Sequence, residues 1–368
     1  MRINGSFSPL GFRRSRRGSV ILFVLGVILL TAFLLTRLID RAGTELLAET
    51  KAANRAALRD QAYAALEVTF AVLADVSAAD GGLHAPQQGW DKPLEYANYE
   101  PPAGFEIAVT FEDESGKLPL PTVSETILQH YLEGLGATVS DAERLTDAVL
   151  VWTKKDFLPG SSDADPRNYE NSPLPYVPPE RPLRSFEELR AVSVARELFF
   201  DKEGRWNELG NRFRADTSLY EFANVNVNSA HSSALTGLGV DATVTNAVVQ
   251  EIASLRERRG EGGFYRSVSD ASAMHGGGLA QAGLGAEVQC LRVFVTVKQG
   301  AHVFTLAAVI TPGGTTGQTT SKPTTSSAEE TDPNAPPPTP VDPRALTRKS
   351  IDYPFRILEL RESDGPAQ

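Results

Sequence analysis

The sequence predicts an α+β chain: a long N-terminal helix, a small antiparallel sheet, and a large helical region inserted into that sheet. Three observations lead there. An apolar run near the N-terminus passes straight into an amphipathic stretch, with no proline between Leu10 and Pro86. Strand-like alternation occurs at Phe105, Ile107, Val109 and Phe111 and returns after about residue 286. Between those two places the patterns are helical.

The N-terminal helix is the strongest element. Arg13, Arg14, Arg16 and Arg17 lead into Gly18, and from Val20 to Leu38 the side chains are nearly all Val, Ile, Leu or Phe. About twenty helical residues at about 1.5 Å each cover a hydrocarbon core of about 30 Å. The arginines are expected to stay cytoplasmic, which puts the rest of the chain on the far side. A secretory signal has a shorter apolar region and a small-residue cleavage site, whereas here the run continues into a stripe of Leu58, Ala62, Leu66, Phe70 and Leu73. One helix from about Val20 to Asp75 is expected, with Leu58, Leu66, Phe70 and Leu73 as its packing face. The basic leader, the glycine and the unbroken helix resemble the precursors of type IV pilins and pseudopilins. Their leader peptidase cuts after the glycine, which is the Gly18–Ser19 bond here. The generic pilin pattern has Glu at the fifth mature position, and Phe23 stands there. From this segment alone an uncut signal anchor is the leading reading.

Charge narrows the partners. The first eighteen residues hold five arginines and no acid, leaving 31 basic against 46 acidic residues in the remainder. That balance argues against nucleic acid, which wants a basic face. Cys290 is the single cysteine, so no intrachain disulfide is possible, and its place inside the first hairpin strand marks it as packing.

Along the middle of the chain, a helix is expected around Ser124–Leu132 with Thr122 or Ser124 as cap. The stretch Leu118–Ser124 aligns with Val225–His231, and each copy runs into a short helix ending in Gly-Leu-Gly. Such pairs resemble helix-hairpin-helix units, but the acidic balance opposes phosphate binding. Ser185 and Glu188 form a capping-box pattern for a helix over "SFEELRAV". Asp163, Asp165 and Asn168 are hard oxygen ligands in a flexible loop, the chemistry calcium prefers, although EF-hand spacing is absent and a solvated loop is the leading reading of the spacing alone. A hairpin around Gln299-Gly300 and one more strand within residues 347–368 complete the sheet, and residues 313–346 are expected to be disordered. The histidines His84, His130, His231, His275 and His302 are scattered, and no nucleophile elbow or phosphate loop is present, so a structural protein is expected rather than an enzyme.

Five features in order resemble the K-type minor pseudopilins of the type II secretion system (the GspK family). They are the Gly18 junction, "EDESGKLPLPTVSETIL", the segment from Trp152 to Tyr176, "FEELRAV", and "NVNVNSA". That family also lacks the fifth-position Glu. The resemblance implies a pseudopilin fold: a transmembrane helix packed on a small antiparallel sheet, with a helical domain over residues 118–285 inserted into it. The implied protein is cut by a prepilin peptidase and methylated, and it sits in the inner membrane with its C-terminal domain in the periplasm. It helps start the pseudopilus at its tip with the I- and J-type minor pseudopilins and the major pseudopilin. Family members more often carry Asp after the Trp of the central segment, where Thr153 and Lys154 stand here, but Asp156, Asp163 and Asp165 keep carboxylates for a calcium ion nearby. A minor pilin of a type IV pilus and an uncut, membrane-anchored binding protein are the rival readings.

Overall fold

A continuous helix, α1, spans Arg16–Asp80, somewhat beyond both expected ends. The computed structural model describes residues 16–171, 175–256, 263–275, 279, 283–312 and 354–365, so the expected disordered segment lies outside the described residues. The chain divides into two units, Met1–Leu58 and Arg59–Gln368.

In the first unit the apolar side chains point outward all round the helix; Phe23 is 72% exposed and Leu35 58%. Thr31 and Thr36 donate their hydroxyls to the carbonyls of Ile28 and Ala32, so both threonines of the run are satisfied within the helix. Among the described residues this is the one helix long and apolar enough to cross a membrane.

The second unit begins with the other half of α1, where Ala62, Leu66, Phe70 and Leu73 are buried, as is Leu58 just before it. A turn follows in which the Gln88 amide donates to Asp80 and to the Gly82 carbonyl, placing Trp90 fully inside with its ring edge-on to Phe111. After a single turn, α2 (Pro93–Tyr96), comes β1 (Glu106–Asp113). The chain then leaves the sheet through β2 (Leu118–Pro119) and two helices. These are α3 (Glu125–Gly134), capped by Ser124 rather than Thr122, and α4 (Val139–Thr153), capped by Thr138. A loop carrying α5 (Arg167–Glu170) leads to α6 (Ser193–Phe199), α7 (Glu208–Asp216) and β3 (Thr217–Ser218), which pairs with β2. Then come β4 (Val225–Asn226), α8 (Ser232–Gly237), α9 (Ala242–Arg256) and α10 (Val268–His275). Finally β5 (Leu284–Gly285) pairs with β4 and returns the chain to the sheet as β6 (Leu291–Gln299), β7 (His302–Pro312) and β8 (Phe355–Asp364).

The sheet order is β1-β6-β7-β8, antiparallel throughout. Its period-2 pattern is clean: Val293, Val295 and Val297 of β6 are buried opposite Ala308, Leu306 and Phe304 of β7. Gly300, at φ +57°, takes the left-handed position in the tight turn between them. The α1 stripe meets this sheet at β8, where Phe70 lies 5.8 Å from Phe355 and Glu362 accepts from both Arg59 and Tyr63.

Among the described residues the inserted region takes part in two cores. One gathers Leu128, Leu132, Leu145, Leu150, Trp152, Phe199 and Phe213, and the other Val225, Val227, Leu235, Val248, Ile252 and Leu284 together with Cys290. Burial raises the Cys290 thiol pKa well above its ordinary value, which keeps it protonated and inert. One local expectation fails. The "SFEELRAV" stretch is a 3₁₀ helix, Phe186–Ala191, because Ser185 caps Glu187 N and the Glu188 carboxylate accepts from Arg184 N, closing a tighter turn than a capping box would.

Truncating Phe70 to Ala should lower stability by about 3–5 kcal/mol, read as a shift in the denaturation midpoint. Phe70→Asp, which buries an unpaired carboxylate, should prevent the protein from accumulating; normal levels of Phe70→Asp would refute a packing role for α1.

Candidate functional site

The chemistry of this chain concentrates at the neck, where the inserted region leaves β1 and comes back into β6. Asp113 is the last residue of β1 and pairs with Leu291, the first of β6. Its Oδ1 accepts from the Ser115 backbone N–H (2.9 Å) and Ser115 Oγ (2.5 Å). Its Oδ2 accepts from Asn226 Nδ2 (2.7 Å) and Ser229 Oγ (2.5 Å). One carboxylate therefore holds the outgoing turn and the far end of the insert at once. Ser115 continues the weld, its Oγ accepting from Gln289 N (3.0 Å) and its N–H donating also to the Cys290 carbonyl (3.2 Å).

The alternating Asn-Val-Asn-Val-Asn stretch explains itself here. Val225 and Val227 enter the second core, while Asn226 and Asn228 are buried on the other side. Asn226 Nδ2 also reaches the His84 carbonyl (3.0 Å). Asn228 clamps Tyr265, accepting from its N–H (2.8 Å) and donating to its carbonyl (2.9 Å), and donates also to the Ala286 carbonyl (3.1 Å). That carbonyl meets His84 Nδ1 at 2.7 Å, so the Nδ1–H tautomer of His84 is the donor. Neutral amides suit this place because each can both donate and accept without bringing a charge inside.

Glycine is required at one point of the neck. A Cβ on Gly116 would lie 2.6 Å from the Ser229 carbonyl oxygen, so "ESG" and "NSA" touch backbone to backbone. Beside it lies a buried ion network. Glu114, 2% exposed, bridges Lys117 (3.4 Å) and Arg292 (2.7 Å), and Lys117 also meets Glu112 at 2.6 Å.

The internal repeat is structural too. The hairpins α3–α4 and α8–α9 are the two copies, packed through their Gly-Leu-Gly ends. A Cβ on Gly237 would lie 2.7 Å from Tyr131 Cβ, and one on Gly134 would lie 3.2 Å from Thr236. These glycines face inward, where they let two helices approach.

The expected carboxylates are not brought together. Asp156 is exposed in a left-handed turn at φ +55°. Asp163 pairs with Arg144 at 2.6 Å. Asp165 is held by the Arg167 side chain and backbone N–H, which lower its pKa to about 2. Asn168, the fourth expected ligand, donates its amide to the carbonyls of Ser162 and Asp163. No group of three His, Cys, Asp or Glu side chains suited to a metal ion occurs among the described residues. Gly18 and Ser19 lie in the first turn of α1, and residues 1–15 before them are outside the described residues. Asp113, Asn226 and Asn228 lie within sequence motifs that suggest no role for them, and Gln88, Trp90 and Arg144 stand in no motif. The one available signal was the polar alternation between two buried valines.

Removing Glu114 (Glu114→Ala) strands Lys117 and Arg292 and should cost about 3–5 kcal/mol. Burial raises the Asp113 pKa above the usual carboxylate value, against the pull of its bonds to Ser115, Ser229 and Asn226. Its stabilising contribution is then fullest in acid and falls as pH rises through the folded-state pKa. The stability gap between wild type and Asp113→Ala should therefore shrink from about pH 4 to neutral; a gap that widens would mean that the four donors outweigh burial.

Residues 113–202 match the family described as Type II secretion system (T2SS), protein K. That match opens on Asp113 itself and runs through α3, α4 and the loop to just past α6. No curated protein matches the chain. Among solved structures, the fold is similar to a chain in the crystal structure of the GspK-GspI-GspJ complex from the enterotoxigenic Escherichia coli type 2 secretion system. The TM-score is 0.51 at 12% identity, covering 86% of this chain and 100% of that one. The family match over residues 113–202 and the shared fold make this chain similar to the K-type minor pseudopilins of type II secretion systems.

Proposed function

We propose that the chain is cut between Gly18 and Ser19, retained in the inner membrane by the apolar half of α1, and built into the tip of a pseudopilus, with its sheet and insert in the periplasm. There it helps start assembly with minor pseudopilins of the I and J kinds, the proteins found with GspK in the similar complex. The observation that carries this reading is the welded insert. A helical region with one core of its own and a second shared with Cys290 and Val309 of the sheet, fixed to the edge strand β1 and to β6, adds bulk that a subunit in mid-filament would have to accommodate above it. Phe23 agrees with it. A Glu at that position is expected to neutralise the N-terminal amine of a neighbouring subunit inside an apolar bundle, and a tip subunit has no such neighbour above it. The role is structural: α1 holds and packs, and the neck keeps the insert in one orientation.

The mature N-terminus tests the reading, by mass spectrometry after co-expression with a prepilin peptidase. A chain starting at Ser19, with a methylated amine, is expected. A chain that keeps Arg13–Gly18 would overturn the pseudopilin mechanism and leave a tethered periplasmic domain. Co-expression with I- and J-type partners should in addition yield a complex that survives purification; a chain cut at Ser19 that never joins such a complex would refute the tip assignment alone.

A further inference from the structure

A calcium ion needs six to eight oxygen ligands, and in the loop between α4 and α6 the candidate oxygens are already taken by protein donors. Arg144, on α4, sits among three carboxylates from three elements. Its Nε donates to Asp163 of the loop (2.6 Å), one terminal nitrogen to Asp141 of α4 (3.1 Å), and the other to Glu197 of α6 (3.0 Å). The carbonyls of Ser162 and Asp163 take the Asn168 amide at 2.9 and 3.3 Å. Asp165 is closed on Arg167, and the buried Asp147 accepts from Ser161 N at 2.6 Å. At the start of the loop a second cation, Lys154, donates to the Val123 carbonyl at 2.6 Å.

We propose that Arg144 is the built-in cation that fastens this loop to α4 and α6 in place of a divalent metal, so that the insert folds and functions without calcium. A planar guanidinium suits the task because its five N–H donors leave in several fixed directions and its charge cannot be titrated away. Each ion pair here is partly exposed and weak by itself. The three share one side chain, however, so its conformational entropy is lost once for all of them. The geometry also gives the loop's positive charge a permanent covalent position, where an ion would come and go with its concentration. The inference does not depend on the filament role.

The test uses the full chain in detergent micelles. Thermal unfolding in millimolar calcium and in the chelator EGTA should coincide; a midpoint several degrees higher in calcium would overturn the proposal. In that event the ion's place would be the acidic hollow of about 580 Å³ beside Arg144, lined by Glu125, Glu143, Thr146 and Asp147. Arg144→Ala should speed amide hydrogen exchange in residues 160–170 by about tenfold or more while leaving exchange in the β6–β7 hairpin unchanged. Unaltered exchange in 160–170 would overturn the proposal as well. Asp163→Asn, which removes one of the three partners and keeps the fold, should speed the same peptide by a smaller factor, so the question stays decidable if Arg144→Ala does not accumulate.

Discussion

The second unit depends on a single carboxylate that holds two distant parts of the chain together. Between Asp113 and Leu291 the chain departs to build two further cores, and yet these residues are neighbours in the β1–β6 ladder. Closing so long an excursion is entropically unfavourable, and the ladder hydrogen bonds alone do not say where the insert should point. The four donors converging on Asp113 supply that direction, because two come from the outgoing turn and two from the returning Asn226 and Ser229. Removing water from a carboxylate is costly, and four good hydrogen bonds are what make the arrangement tolerable.

Around this point the neck is built from groups that cannot be satisfied separately. Glu114 sits between Lys117 and Arg292, Asn228 between Tyr265 and Ala286, and Gly116 against the backbone of Ser229. Such networks contribute little net stability compared with apolar packing, but they penalise every alternative docking of the insert. A subunit whose insert must present one fixed surface to its neighbours gains from that penalty. The apolar cores on either side supply most of the stability through burial.

The long helix works by a different physics. From Val20 to Leu35 its surface is apolar all round, which suits lipid or the helices of a bundle. Its second half narrows to a stripe facing the sheet, with polar residues such as Arg59 and Tyr63 reaching Glu362 of β8. One regular element thus meets two environments, and the change is written in the width of its apolar face.

Local patterns were legible in the sequence wherever the controlling interaction is short-range. The helix, the β1, β6, β7 and β8 strands and the short helices α3 and α8 of the repeat follow from spacings of two or of three to four residues, and capping chemistry narrows the start of α3 to Thr122 or Ser124. The segment from Trp152 to Tyr176 was legible as a unit, and the structure shows why. Its ends meet, with the rings of Trp152, Tyr169 and Tyr176 within 6.1 Å of one another. By contrast, choosing partners for polar side chains was beyond it. Asp163 and Asp165 look like cation ligands in the sequence, and only the fold reveals that arginines reach them first. Asn226 stands 113 positions from Asp113, a separation at which no periodicity operates. The sequence by itself determined which stretches are helix or strand and which faces are apolar, since those depend on neighbours along the chain. Only the tertiary structure decided which carboxylate receives which donor, because a charged or polar group is satisfied by whatever the completed fold brings within hydrogen-bonding distance.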